Sequence, residues 1–114
     1  MSQRVEIYKT ETYEKSLKKF DSKVINQINK KVNNLLINPL IAQPLKYNHQ
    51  NFCEIKIGSK YRVYCIKKQN KIGLLFILGP VLHHKLNYNQ NKEYQKLFLI
   101  LEEINLEFSK ISNS

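Results

Sequence analysis

Tryptophan is absent from this chain, and glycine, proline and cysteine are scarce, at three, three and two residues. Gly58, Gly73 and Gly79 stand apart, so the glycine-rich loops that cradle nucleotide phosphates are excluded. Cys53 and Cys65 are too few for a disulfide scaffold or a zinc site by spacing. The three histidines, His49, His83 and His84, form no HExxH or paired Cys/His pattern. No metal or nucleotide cofactor is therefore expected. No apolar run reaches the ~20 residues a membrane helix needs, and Met1-Ser2-Gln3-Arg4 lacks the apolar stretch of a signal peptide. The expectation is a cytoplasmic protein with no membrane partner. Its 114 residues suit one domain, 1–114. A chain of that size builds one core, without room for a deep, enclosed substrate cavity.

Acidic residues are also scarce, with nine Asp and Glu against 19 Lys and Arg, for a net charge of +10. Lysine dominates; Arg4 and Arg62 are the only arginines. Compositional drift can explain the number of lysines, but their distribution is uneven. Residues 91–114 hold three lysines and four glutamates, net −1, which leaves +11 on residues 1–90. A body so charged attracts polyanions through counterion release and long-range steering. RNA is the expected partner, although an acidic protein would be drawn equally.

The patterning reads as α+β. Val5 and Ile7 alternate with Arg4, Glu6 and Tyr8 as in a short strand. Thr12 can cap a helix carrying Tyr13, Leu17 and Phe20 at i, i+4 and i+7. Asp21 or Ser22 opens a second helix whose stripe is Val24, Ile25, Ile28, Val32, Leu35 and Leu36, stopped at Asn38-Pro39. The two make a helical hairpin with lysines outside. After a connection broken by Pro44, three strands follow as a meander: Phe52–Ile57, Tyr61–Lys67 and Ile72–Leu78. The last is apolar on both sides, so it belongs inside the sheet, and Gly79-Pro80 ends it. A C-terminal helix covers 91–110.

The first hairpin of the meander fixes its own register. Ile55 and Ile57 can share a buried face with Tyr61, Val63 and Cys65 only across a three-residue loop, Gly58 to Lys60. That register sets Ile57 opposite Tyr61, Ile55 opposite Val63 and Glu54 opposite Tyr64. It also places Cys53 opposite Cys65 as core thiols, and Lys56 beside Arg62 on the outer, solvated face. Cations directly across a ladder destabilise it by a few tenths to about 1 kcal/mol. Either they wait for a phosphate, or they are ordinary solvated side chains.

In order and spacing, Asn38-Pro39, Pro44-Leu45-Lys46, Glu54-Ile55-Lys56-Ile57, Lys60-Tyr61-Arg62-Val63-Tyr64 and the apolar Ile72–Leu78 strand resemble the RelE/ParE toxin superfamily, over residues 4–88. These are the toxin halves of toxin–antitoxin pairs. The resemblance implies one RelE-like domain: strand, two-helix hairpin, three-stranded antiparallel meander, C-terminal helix. It implies a ribosome-dependent mRNA endoribonuclease that works without a metal, the ribose 2′-hydroxyl attacking its own 3′-phosphate. Lys56 matches a catalytic lysine and Arg62 the arginine of the Tyr-Arg-x-x-Tyr segment, with Glu54 loosely placed as base. Past Gly79 the usual arginine is missing, and His83 or His84 stands in as the candidate acid or base, on the face of Lys56 and Arg62. Lys46, Lys60, Tyr64, Lys85 and Tyr88 are the implied RNA contacts. Implied partners are the ribosome, mRNA and a cognate acidic antitoxin, in a possible heterotetramer. The alternatives are a ParE-like inhibitor of DNA gyrase and a degenerate relative that only binds its antitoxin.

Overall fold

The computed structural model describes residues 4–45, 51–84 and 90–112. The chain divides into two compact units, residues 1–84 and 85–114. In the first, alternation at the N-terminus produces β1 (Arg4–Lys9), which pairs in parallel with β5 (Gly73–His83). Val5 and Ile7 lie opposite Leu74 and Phe76 and carry the ladder into the core. Gly73 faces Arg4, where a Cβ would come within 2.0 Å of the Arg4 carbonyl oxygen. Only glycine fits so close an approach.

Helix α1 (Glu11–Leu17) starts two residues earlier than Thr12 would place it. Thr10 is the cap, because it leaves β1 already extended. Its hydroxyl accepts from the Tyr13 N–H at 3.1 Å and donates to the Leu78 carbonyl at 2.5 Å, tying the cap to β5. Asp21 caps α2 (Ser22–Asn33) by accepting from the Val24 N–H. The helix then tightens into a 3₁₀ turn, Asn34–Leu36. With three residues per turn instead of 3.6, Leu35 stays buried and Leu36 rotates out to 55 % exposure. Leu36 was expected in the stripe; it is not part of the core. Lys15, Lys18, Lys19, Lys23 and Lys30 do lie on the exposed side of the hairpin.

The five-stranded sheet runs β1, β5, β4 (Tyr61–Gln69), β3 (Phe52–Ile57), β2 (Ala42–Pro44). β3 and β4 pair antiparallel in the register read from the sequence, with Lys56 facing Arg62 and Cys53 facing Cys65. Gly58 supplies the left-handed dihedral of the connecting turn, at φ 59°. Two features depart from expectation. Ala42–Pro44 is a short edge strand, β2, on β3; at an edge, the N–H that proline lacks is not needed by the ladder. And Gly79-Pro80 does not end β5 but forms a bulge inside it: Val63 pairs with Val81 while Cys65 pairs with Leu78. The Val81 N–H donates to the Ser16 hydroxyl at 3.0 Å, which itself donates to the Tyr13 carbonyl at 2.8 Å. Helix α1 thus holds the bulged segment in place.

The core between the helical hairpin and the sheet contains Tyr13, Ile28, Val32, Leu35, Ile55, Val63, Phe76 and Leu78. Tyr13 is wholly buried, and its hydroxyl has no hydrogen-bond partner among the described residues. Burial pushes its pKa up to about 12. The neutral phenol is the form the fold tolerates, so its contribution is intact below pH ~10 and is lost as pH rises from ~10 toward 12. Tyr13→Phe is expected to be neutral or stabilising by about 1 kcal/mol in urea unfolding, and to flatten the alkaline loss.

The second unit is described by α3 (Gln90–Ser112), slightly longer than the expected 91–110. Leu97, Leu101 and Ile104 recur at i, i+4 and i+7 along it, while Leu99, Leu106 and Ile111 are exposed. Among the described residues no helix is long and apolar enough to cross a membrane.

Candidate nucleic-acid interface

Side chains alternate along β3 and β4, so the face turned away from the helical hairpin receives Glu54 and Lys56 from one strand and Arg62 and Tyr64 from the other. Lys56 is exposed, Glu54 half-buried and Tyr64 buried. Among the described residues the ion pairs are Arg4 with Glu6 and Lys15 with Glu11; neither Lys56 nor Arg62 has a carboxylate partner. Two cations therefore stand across one ladder at the turn end of the sheet with no ion pair to a carboxylate among the described residues.

Arg62 is not solvated as expected. It is 8 % exposed, and its Nη1 donates to the carbonyls of Tyr61 at 2.9 Å and Gly58 at 3.3 Å. The physical reason is the turn. A three-residue loop interrupts the ladder, and the guanidinium fork bends back to satisfy carbonyls there. Holding the charge this way fixes its position without neutralising it. Arg62 is thus tied into the turn, and of the four side chains on this face only Lys56 is exposed.

His83 lands on the other face. The extra residue of the bulge shifts the alternation, so Val81 and His83 point to the hairpin side, where His83 lies opposite Tyr61. Their rings meet edge to face with centroids 5.4 Å apart, and Tyr61 in turn meets Phe20 at 5.2 Å. The expectation that this histidine shares the face of Lys56 and Arg62 is corrected. His84 is half-buried, and its backbone N–H donates to the Lys60 carbonyl at 2.6 Å. Lys60 itself is exposed in the turn. Lys46, Lys85, Tyr88 and His49 lie outside the described residues.

Cys53 and Cys65 are both buried and free. A hydrogen bond between the thiols, together with Lys67, pulls Cys53 down, while the same bond and full burial push Cys65 well up. Among the described residues no three His, Cys, Asp or Glu side chains gather as metal ligands would.

No protein-family model and no curated protein matches this sequence. Solved structures do match its fold. The RelBE2 toxin–antitoxin complex of Mycobacterium tuberculosis aligns at a TM-score of 0.57 and 17 % identity, over 69 % of this chain and 96 % of that one. The YoeB/ParE toxin of Agrobacterium tumefaciens aligns at 0.55 and 14 %, over 70 % and 99 %. The DinJ–YafQ toxin–antitoxin complex of Escherichia coli aligns at 0.52 and 15 %, over 75 % and 99 %. With one mixed sheet, a helical pair packed on it and a C-terminal helix, the chain shares the fold of these three solved toxins.

Proposed function

We propose that this protein is the toxin of a type II toxin–antitoxin pair and that it cleaves mRNA on the ribosome. The carrying observation is the Lys56–Arg62 pair, side by side and without a carboxylate partner among the described residues. Strand pairing holds two like charges together only at a cost, and a bridging phosphate removes it. In the proposed reaction the 2′-oxygen of a ribose attacks the adjacent phosphorus while the bond to the 5′-oxygen of the next nucleotide breaks. The attacking hydroxyl gives its proton to the Glu54 carboxylate, and solvent protonates the leaving oxygen. The products are a 2′,3′-cyclic phosphate and a 5′-hydroxyl. Lys56 and Arg62 offset the charge that gathers on the non-bridging oxygens, the electrostatic contribution that is usually largest in such sites.

The similar toxins above were solved with antitoxins in two of the three cases, and the +11 body of residues 1–90 suits an acidic partner. An acidic antitoxin covering Lys56 and Arg62 would silence the site by occupying the phosphate's place.

Toeprinting of translating ribosomes tests the proposal. Added protein should produce new stops at codons in the A site, each marking a 5′-hydroxyl end, with the 2′,3′-cyclic phosphate on the upstream fragment. One observation favours a second reading, the ParE-like gyrase inhibitor: His83, the candidate acid, is turned to the opposite face from Lys56. Unchanged toeprints together with blocked supercoiling by gyrase would establish that reading instead.

A further inference from the structure

At the turn end of the sheet the hairpin-side face carries a second set of groups that the cleavage scheme does not use. Tyr61 and His83 form an aromatic pair, half-buried and exposed respectively. Beside Tyr61 lies an open hollow of about 350 Å³ between the start of α2 and the Gly58–Lys60 turn, lined by Asp21, Lys23, Gln27, Ser59, Lys60 and Tyr61 among others; His83 adjoins it through its ring contact with Tyr61. His83 is held on both sides, by its register with Tyr61 and by the His84 N–H on the Lys60 carbonyl. The pair exists because of the Gly79-Pro80 bulge; without that extra residue His83 would point to the face of Arg62.

We propose that Tyr61, His83 and this hollow form a stacking subsite for one unpaired RNA base, next to the phosphate held by Lys56 and Arg62. The proposal rests on the RNA-cleaving reading and names a specificity site for it. Neighbouring residues of one strand point to opposite faces, so Tyr61 and Arg62 flank the same sheet end. A single strand passing around the Gly58–Lys60 turn meets the cation pair on one side and the aromatic pair on the other. Single-stranded RNA is gripped by this combination: flat side chains take the base, and lysines track the backbone. Gln27 presents both a donor and an acceptor to a base edge, and Ser59 adds a hydroxyl. Lys23 and Lys60 flank the hollow for the adjoining phosphates and outnumber the one carboxylate of its lining, Asp21. His83 is then a binding residue whose ring stacks, not one that moves a proton.

Fluorescence anisotropy with a labelled single-stranded RNA oligomer, and with the same oligomer carrying one abasic nucleotide at successive positions, tests this. His83 is exposed, so its variants should fold, as circular dichroism will verify. His83→Ala should weaken binding roughly 5- to 150-fold, the range for one stacked base, while His83→Phe should bind as the wild type does. At one position the abasic oligomer should bind wild type and His83→Ala equally, because the base that stacks is gone. Gln27→Ala should weaken binding of some bases at that position more than others. If Lys56→Ala weakens RNA binding but His83→Ala does not, the subsite is overturned and the phosphate grip stands. If His83→Phe is as poor as His83→Ala, stacking is overturned in favour of imidazole chemistry. Absence of any salt-sensitive RNA binding by the wild type removes the cleavage reading and the subsite together.

Discussion

Lys56→Ala should reduce cleavage of ribosome-bound mRNA by roughly 10²- to 10³-fold, the usual consequence of removing one charge-stabilising group from a transition state. Growth inhibition should disappear with it. Folding should not suffer, because Lys56 is exposed and makes no ion pair among the described residues. The substitution also removes a like charge across from Arg62, so the midpoint of thermal unfolding should stay level or rise slightly. A variant that is equally or more stable yet inactive is the signature of a residue kept for chemistry against the interest of the fold. Toeprint yield per folded molecule, with a melting curve of the same sample, gives both numbers. Full toxicity in the alanine variant would remove Lys56 from the site. Lys56→Arg should recover part of the activity, since it restores the charge with a bulkier head group.

The register that brings the two cations together was legible in the sequence because alternation has a period of two. A loop of two or four residues would have sent Arg62 to the face of Ile55 and Ile57. The two-sided apolar run of β5 likewise placed it inside the sheet, and it lies between β1 and β4. What could not be read depended on contacts remote in sequence. Gly79-Pro80 is a common strand terminator, and nothing local reveals that Ser16, 65 positions away from Val81, takes the N–H that the bulge leaves over. The face of His83 follows from that one bond-accepting hydroxyl. β2 was hidden by Pro44, which argues against a strand unless the strand is at an edge. The one available signal for the hairpin-side subsite was Tyr61 beside a turn lysine, too common a pairing to single out.

Arg62→Ala should differ from Lys56→Ala in kind. Arginine 62 is buried, and two turn carbonyls accept from its Nη1. Truncation leaves the Gly58 and Tyr61 oxygens without those donors and opens space beside Tyr64, at an expected loss of about 1–3 kcal/mol in urea unfolding. Cleavage should be lost as well, so a toxicity screen alone would confound unfolding with missing chemistry. Arg62→Lys separates them. It keeps a cation opposite Lys56 but cannot present a planar fork to two carbonyls and still face a phosphate. Its stability should fall between wild type and alanine. Phosphate-backbone binding, measured as the salt slope of RNA affinity, should stay near the wild-type value, whereas Arg62→Ala should lower that slope by roughly one phosphate contact, about 0.7 for a single strand. If Arg62→Ala instead unfolds in urea at the wild-type midpoint, the carbonyl bonds contribute nothing to the fold. The guanidinium is then free to swing onto the nucleic acid, and the fixed-charge account of the site gives way to a mobile one.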